Sequence, residues 1–75
     1  MFSREIFAQR VHELRKQHNL TLAELAEKVG ISRSSANNWE LETRSPSVEV
    51  LALLADYFEV SADYLMGRTD KREMN

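Results

Sequence analysis

Cysteine is absent from the 75 residues, and proline and glycine are scarce, at one and two. No disulfide framework and no thiolate metal site can be built, and a reducing compartment is permitted. The longest uninterrupted apolar run is Val50 to Ala55, far short of the roughly 20 residues that span a bilayer. The first residues, Met1-Phe2-Ser3-Arg4-Glu5, lack an apolar leader core. The Asn19-Leu20-Thr21 sequon has nothing beside it that points to secretion. Metal and nucleophile chemistry find no footing either. His12 and His18 do not share a helical face, and no Gly-rich phosphate loop is present. An enzyme, a cofactor and a small-molecule ligand are therefore not expected.

What remains is ordinary globular composition, 43% hydrophobic and 29% charged, in a length that suits one small domain with no room for a sensory one. The net charge of −2 hides an asymmetry. Residues 1–45 hold seven Lys/Arg against six Asp/Glu. Residues 46–70 hold Arg68 alone against Glu49, Asp56, Glu59, Asp63 and Asp70. A polyanion should therefore meet the N-terminal part.

Apolar spacing predicts an all-α fold of five short helices. Ser3 can cap the first, whose stripe is Phe7, Val11, Leu14 and His18. Thr21 can cap a second bearing Leu22, Leu25, Ala26 and Val29, and Gly30 suits its end. Ser32 can cap a third, running to about Leu41. After Ser45-Pro46, Ser47 can cap a fourth reaching about Phe58. Ser61 can cap a fifth ending at Gly67. Residues 68–75 show no periodicity and are expected to form a short, disordered charged tail beyond a domain of residues 1–67.

The fourth helix carries two apolar stripes: Val48, Leu51, Leu54, Ala55 and Phe58, and Val50, Leu53 and Tyr57. It is either clamped between neighbours or partly exposed at a subunit contact. Val50, Leu53 and Tyr57, extended by Tyr64 and Met66, are the candidate homodimer surface.

Helices two and three, with about three residues between them at Gly30, have helix-turn-helix spacing. Ala26 must be small where they cross, and Ile31 and Trp39 should fix the crossing. The run Leu25-Ala26-Glu27-Lys28-Val29-Gly30-Ile31-Ser32, then Trp39-Glu40, Arg44-Ser45-Pro46-Ser47, Leu54-Ala55-Asp56-Tyr57-Phe58 and Val60-Ser61-Ala62-Asp63-Tyr64-Leu65-Met66-Gly67 resembles the lambda-repressor-like (Cro/CI, XRE) helix-turn-helix family over nearly the whole chain.

The resemblance implies a compact five-helix DNA-binding domain. It would be a cytoplasmic transcriptional regulator of a prokaryote or phage, in most cases a repressor, binding a palindromic duplex operator as a homodimer. Its third helix would enter the major groove. Arg33, Ser34 and Asn38 match base-reading positions. A guanidinium can donate twice to guanine, and a carboxamide can pair twice with adenine. Ser35 and Asn37 fall where the family holds phosphate. Ser32 caps the helix and brings amides to a phosphate, Arg44 occupies the following loop, and Arg10 is a further phosphate candidate. Arg15 and Glu40 match an ion pair that orients the third helix.

Three positions depart from the pattern. Leu22 stands where Gln contacts phosphate, Ala36 where Ile or Val fills the core, and Glu42 where Gly is common. The competing class is a protein-interaction module of the same fold, an antitoxin or accessory regulator. The acidic C-terminal part and its second apolar stripe would suit that partner.

Overall fold

In a computed structural model, residues 2–73 are described. They form α1 (Arg4–Gln17), α2 (Leu22–Val29), α3 (Arg33–Glu40), α4 (Val48–Phe58) and α5 (Ala62–Met66). Each helix starts on a hydroxyl side chain. Ser3, Thr21, Ser32, Ser47 and Ser61 accept from the amides of Ile6, Glu24, Ser35, Val50 and Tyr64, satisfying a donor that a helix N-terminus leaves orphaned. At Thr21 the cap is reciprocal: Glu24 Oε1 accepts the Thr21 amide at 2.8 Å. α2, α4 and α5 stop on left-handed residues, Gly30 at φ 73°, Glu59 at φ 56° and Gly67 at φ 83°. A Cβ on Gly67 would also come within 3.1 Å of Ile6.

The helices are too short to persist alone, so packing holds them. Phe7, Val11 and Leu14 of α1 meet Leu25, Leu54 and Leu65, and all six are essentially excluded from water. Burial of each such side chain is worth about 1.5–3 kcal/mol. Ala36 is fully buried, and Trp39 beside it lies edge-on to Phe7, with ring centroids 5.7 Å apart. The aromatic ring is thus part of the core beneath α3 at the small Ala36. Leu22 is half-buried against the same core. α1 packs on α3 and α5, while α2 packs on α3 and α4.

Two expectations change. Val48 leaves its predicted stripe and is 81% exposed, because α4's first turn projects past the core that buries Leu54, Ala55 and Phe58. His18, at the end of the α1 stripe, is a satisfied boundary residue, exposed but partnered. Its ring covers Phe58 at 5.0 Å, and its Nδ1 lies 2.9 Å from the Leu14 carbonyl oxygen.

The second concerns residues 68–73, expected as a disordered tail but turned back over α5 and α1. The Ser61 amide donates to the Arg72 carbonyl at 2.7 Å, and Ser61 Oγ donates to the Lys71 carbonyl. Arg72 donates to the Tyr64 hydroxyl and to Gln17. Aperiodic sequence excluded a helix there but could not exclude a strap. Met74 and Asn75, in the expected tail, and Met1, in the expected domain, lie outside the described residues.

Candidate nucleic-acid interface

Gly30 and Ile31 make the turn that sets α3 across α2: the Ile31 amide donates to Ala26 at 2.9 Å and the Gly30 amide to Glu27 at 3.3 Å. Ala26, buried at the crossing, lets the helices approach. With Ala36 and Trp39 turned inward, helical periodicity turns the other side out. Arg33, Ser34 and Asn37 are exposed and share one shallow surface hollow. Asn38, expected beside them as a base reader, is half-buried and does not line that hollow. Leu41, 61% exposed, follows on the same side. Ser32 is committed to capping, and Ser35 donates its amide to the Ser32 oxygen and accepts the Ser32 hydroxyl.

The loop beyond α3 is tied to it. Thr43 donates both its amide and its hydroxyl to the Asn38 carbonyl, each at 3.0 Å. Glu42 takes φ 64°, a conformation that costs a non-glycine residue of order 1 kcal/mol. Arg44 is exposed immediately after this anchored turn.

α3 is oriented by Arg15. Its Nε donates to Glu40 Oε2 at 2.7 Å, one terminal nitrogen to Oε1 at 3.1 Å, and the other to the Leu20 carbonyl at 2.8 Å. One guanidinium therefore joins α1, the α1–α2 turn and the end of α3. Arg15 and Glu40 are only 11% and 13% exposed. His12 adds Nδ1 3.0 Å from Glu40 Oε1, a partner that sequence reasoning missed; its place one turn before Arg15 was the available signal. Burial raises the Glu40 pKa, but the hydrogen bonds and charges of Arg15 and His12 outweigh it and hold the carboxyl below its ordinary value.

Arg10 does not serve as a phosphate ligand in this arrangement. Its guanidinium lies 4.1 Å above the Tyr64 ring and donates to the carbonyls of Tyr64 and Thr69 and to Asp70. These bonds fasten the 68–73 strap, on the opposite side of α1 from Glu40. Tyr64 is accordingly buried, at 7% exposure, and is withdrawn from the subunit surface expected of it. Met66 is half-buried and accepts the Ser3 amide through its carbonyl. On α4, Leu53 is 49% exposed, while Val50 and Tyr57 are half-buried. Among the described residues no cluster of His, Cys, Asp and Glu could hold a metal ion, and no helix is long and apolar enough to cross a membrane.

This arrangement has known counterparts. The helix-turn-helix family model matches residues 11–65. An uncharacterized HTH-type transcriptional regulator of Bacillus subtilis, YobD, is 45% identical over 65 residues, covering 87% of this chain and 58% of that protein. The cryptic phage CTXphi transcriptional repressor RstR of Vibrio cholerae is 37% identical, covering 87% and 60%. The solution structure of the SOS-response transcriptional repressor LexA from Eubacterium rectale superposes with TM-score 0.79 at 25% identity, covering 84% of this chain and 67% of that one. The chain spans a little over half the length of the first curated relatives it matches. A family match running from the middle of α1 into α5, on a five-helix fold with this crossing, makes the chain a member of the Cro/CI (XRE) type helix-turn-helix family.

Proposed function

We infer that this chain binds double-stranded DNA sequence-specifically and regulates transcription, as a repressor, with α3 in the major groove. The observation that carries the reading is the division of α3. Ala36 and Trp39 are spent on the core and Glu40 on Arg15, while Arg33, Ser34 and Asn37 face outward. A helix locked on one side and polar on the other suits groove reading. Arg33 would pair with guanine, Asn38 with adenine, and Ser34 would complete the base-reading set. Ser32, Ser35, Asn37 and Arg44 would meet backbone phosphates. The relatives' names support the role, RstR being named a transcriptional repressor.

Pairing of two copies across a palindromic site would use Val50, Leu53 and Tyr57. The reading needs no enzymatic activity and no cofactor, and it places the protein in the cytoplasm. A second reading, a module for a protein partner, is favoured by one relative: the antitoxin PezA of Streptococcus pneumoniae, 37% identical over 62 residues.

Sedimentation equilibrium with and without short random-sequence duplex, at low and moderate salt, tests the choice. A salt-dependent complex followed by operator selection, with Arg33→Ala relaxing the base preference at one position, is the expected result. No complex at low salt overturns the DNA reading in favour of the protein partner.

A further inference from the structure

Of the cations in residues 1–45, Arg10 is consumed by the strap and Arg15 by Glu40. Arg4 has a different position. It is exposed, and its guanidinium donates to the Thr43 carbonyl at 3.4 Å, across 39 residues of chain. Thr43 is itself fixed to α3 through Asn38. Arg4 is therefore held beside the C-terminal end of the outward-facing helix, next to the residue that precedes Arg44. The bond to Thr43 takes one of five guanidinium N–H donors.

The charge count at that end depends on Arg4. Glu40 is neutralised by Arg15, while Glu13 and Glu42 share one hollow with it and Arg44 can offset only one of them. Arg4 brings that corner to balance, so a phosphate there does not meet net negative charge.

We propose that Arg4 is a DNA-backbone ligand, forming with Arg44 a two-arginine clamp on adjacent phosphodiesters, one each, at the far end of α3. The proposal rests on the DNA-binding reading above and deepens it. It adds a contact from α1 that brackets the recognition helix between Arg33 at its start and the Arg4–Arg44 corner at its end. Such contacts set register and affinity without reading sequence.

The experiment is fluorescence anisotropy of a labelled random-sequence duplex across a salt series. It uses the wild type, Arg4→Ala, Arg44→Ala, the double variant, Arg4→Lys, and Arg68→Ala as a control on the strap. Each phosphate contact adds about 0.9 to the slope of log affinity against log salt. Arg4→Ala should flatten the slope by about that amount and the double variant by about twice it. Arg4→Lys and Arg68→Ala should keep the wild-type slope. Unchanged circular dichroism melting of Arg4→Ala would show that the loss is not unfolding.

A wild-type slope in Arg4→Ala overturns the proposal while leaving the DNA reading intact. A double variant no flatter than Arg44→Ala alone also overturns it, since Arg4 would then act only by placing Arg44. A wild type that binds no duplex at low salt overturns both readings together.

Discussion

Removing the Glu40 carboxylate should damage the fold before it alters recognition. In Glu40→Ala, Arg15 keeps its bond to the Leu20 carbonyl but loses both carboxylate oxygens at 11% exposure. Breaking a fully buried pair costs about 3–5 kcal/mol, an exposed one about 0–1 kcal/mol. Low exposure places this pair near the first figure, and half-exposed His12, beside Oε1, lets some water reach the stranded charge. A loss of about 2–3 kcal/mol follows. A 75-residue domain has about 4–11 kcal/mol in all, and each kcal/mol moves the melting temperature by about 4–8 °C at this size. Thermal melting at neutral pH should therefore show a fall of about 10–20 °C.

Glu40→Gln keeps an oxygen for Arg15 Nε and should fall between. Replacing both partners by apolar residues, Arg15→Met with Glu40→Leu, should recover much of the loss, because no charge is then stranded. The pH dependence has a definite sign. The folded-state pKa of Glu40 is depressed, so its stabilisation is complete above the unfolded value and fades as pH falls from about 4.5 toward the folded value. The gap between wild type and Glu40→Gln should close over that acid range. A Glu40→Ala melt within 2–3 °C of wild type, at a scale of roughly 4–8 °C per kcal/mol, would refute the reasoning.

Glu42→Gly should raise the melting temperature by several degrees, since glycine adopts the φ of 64° without the cost of about 1 kcal/mol. An unchanged or lower melt would count against strain at that turn. Arg10→Ala should free the strap and speed tryptic cleavage after Lys71 and Arg72, with a stability loss of about 1–3 kcal/mol from carbonyls left without their donor; equal cleavage rates would contradict the latch. Leu53→Glu, on the half-exposed face of α4, should shift sedimentation equilibrium toward monomer without lowering the melt of the monomer. A dimer that survives it would move the pairing surface elsewhere.

The elements were legible because each helix advertises its own start. Five hydroxyl residues stand where apolar spacing of 3.6 begins, and all five accept the expected amide. Capping and periodicity are local, so one sequence suffices to read them. The Arg15–Glu40 contact was reachable only through the family resemblance, because 25 residues separate the partners. The fates of Arg10 and Tyr64 were not reachable. They depend on a segment about 59 residues from Arg10 whose composition looks like solvated chain. An arginine on α1 reads the same in sequence whether it meets a phosphate or the carbonyls of a returning strap. Val48 failed for a related reason: periodicity assigns a face but not how far the core extends beneath it.

On the DNA reading proposed above, the division of α3 has a practical consequence for anyone rewriting what the helix recognises. Eight residues make a rod of about 12 Å, and such a rod does not keep its shape when transplanted alone. Its shape is lent by Phe7 through Trp39, and its aim by Arg15 through Glu40. Arg33, Ser34 and Asn37 owe the fold almost nothing in return. A library confined to Arg33, Ser34 and Asn38 would vary the message, while Ala36, Trp39 and Glu40 keep the scaffold that delivers it, whereas a swap of the whole helix would exchange both at once.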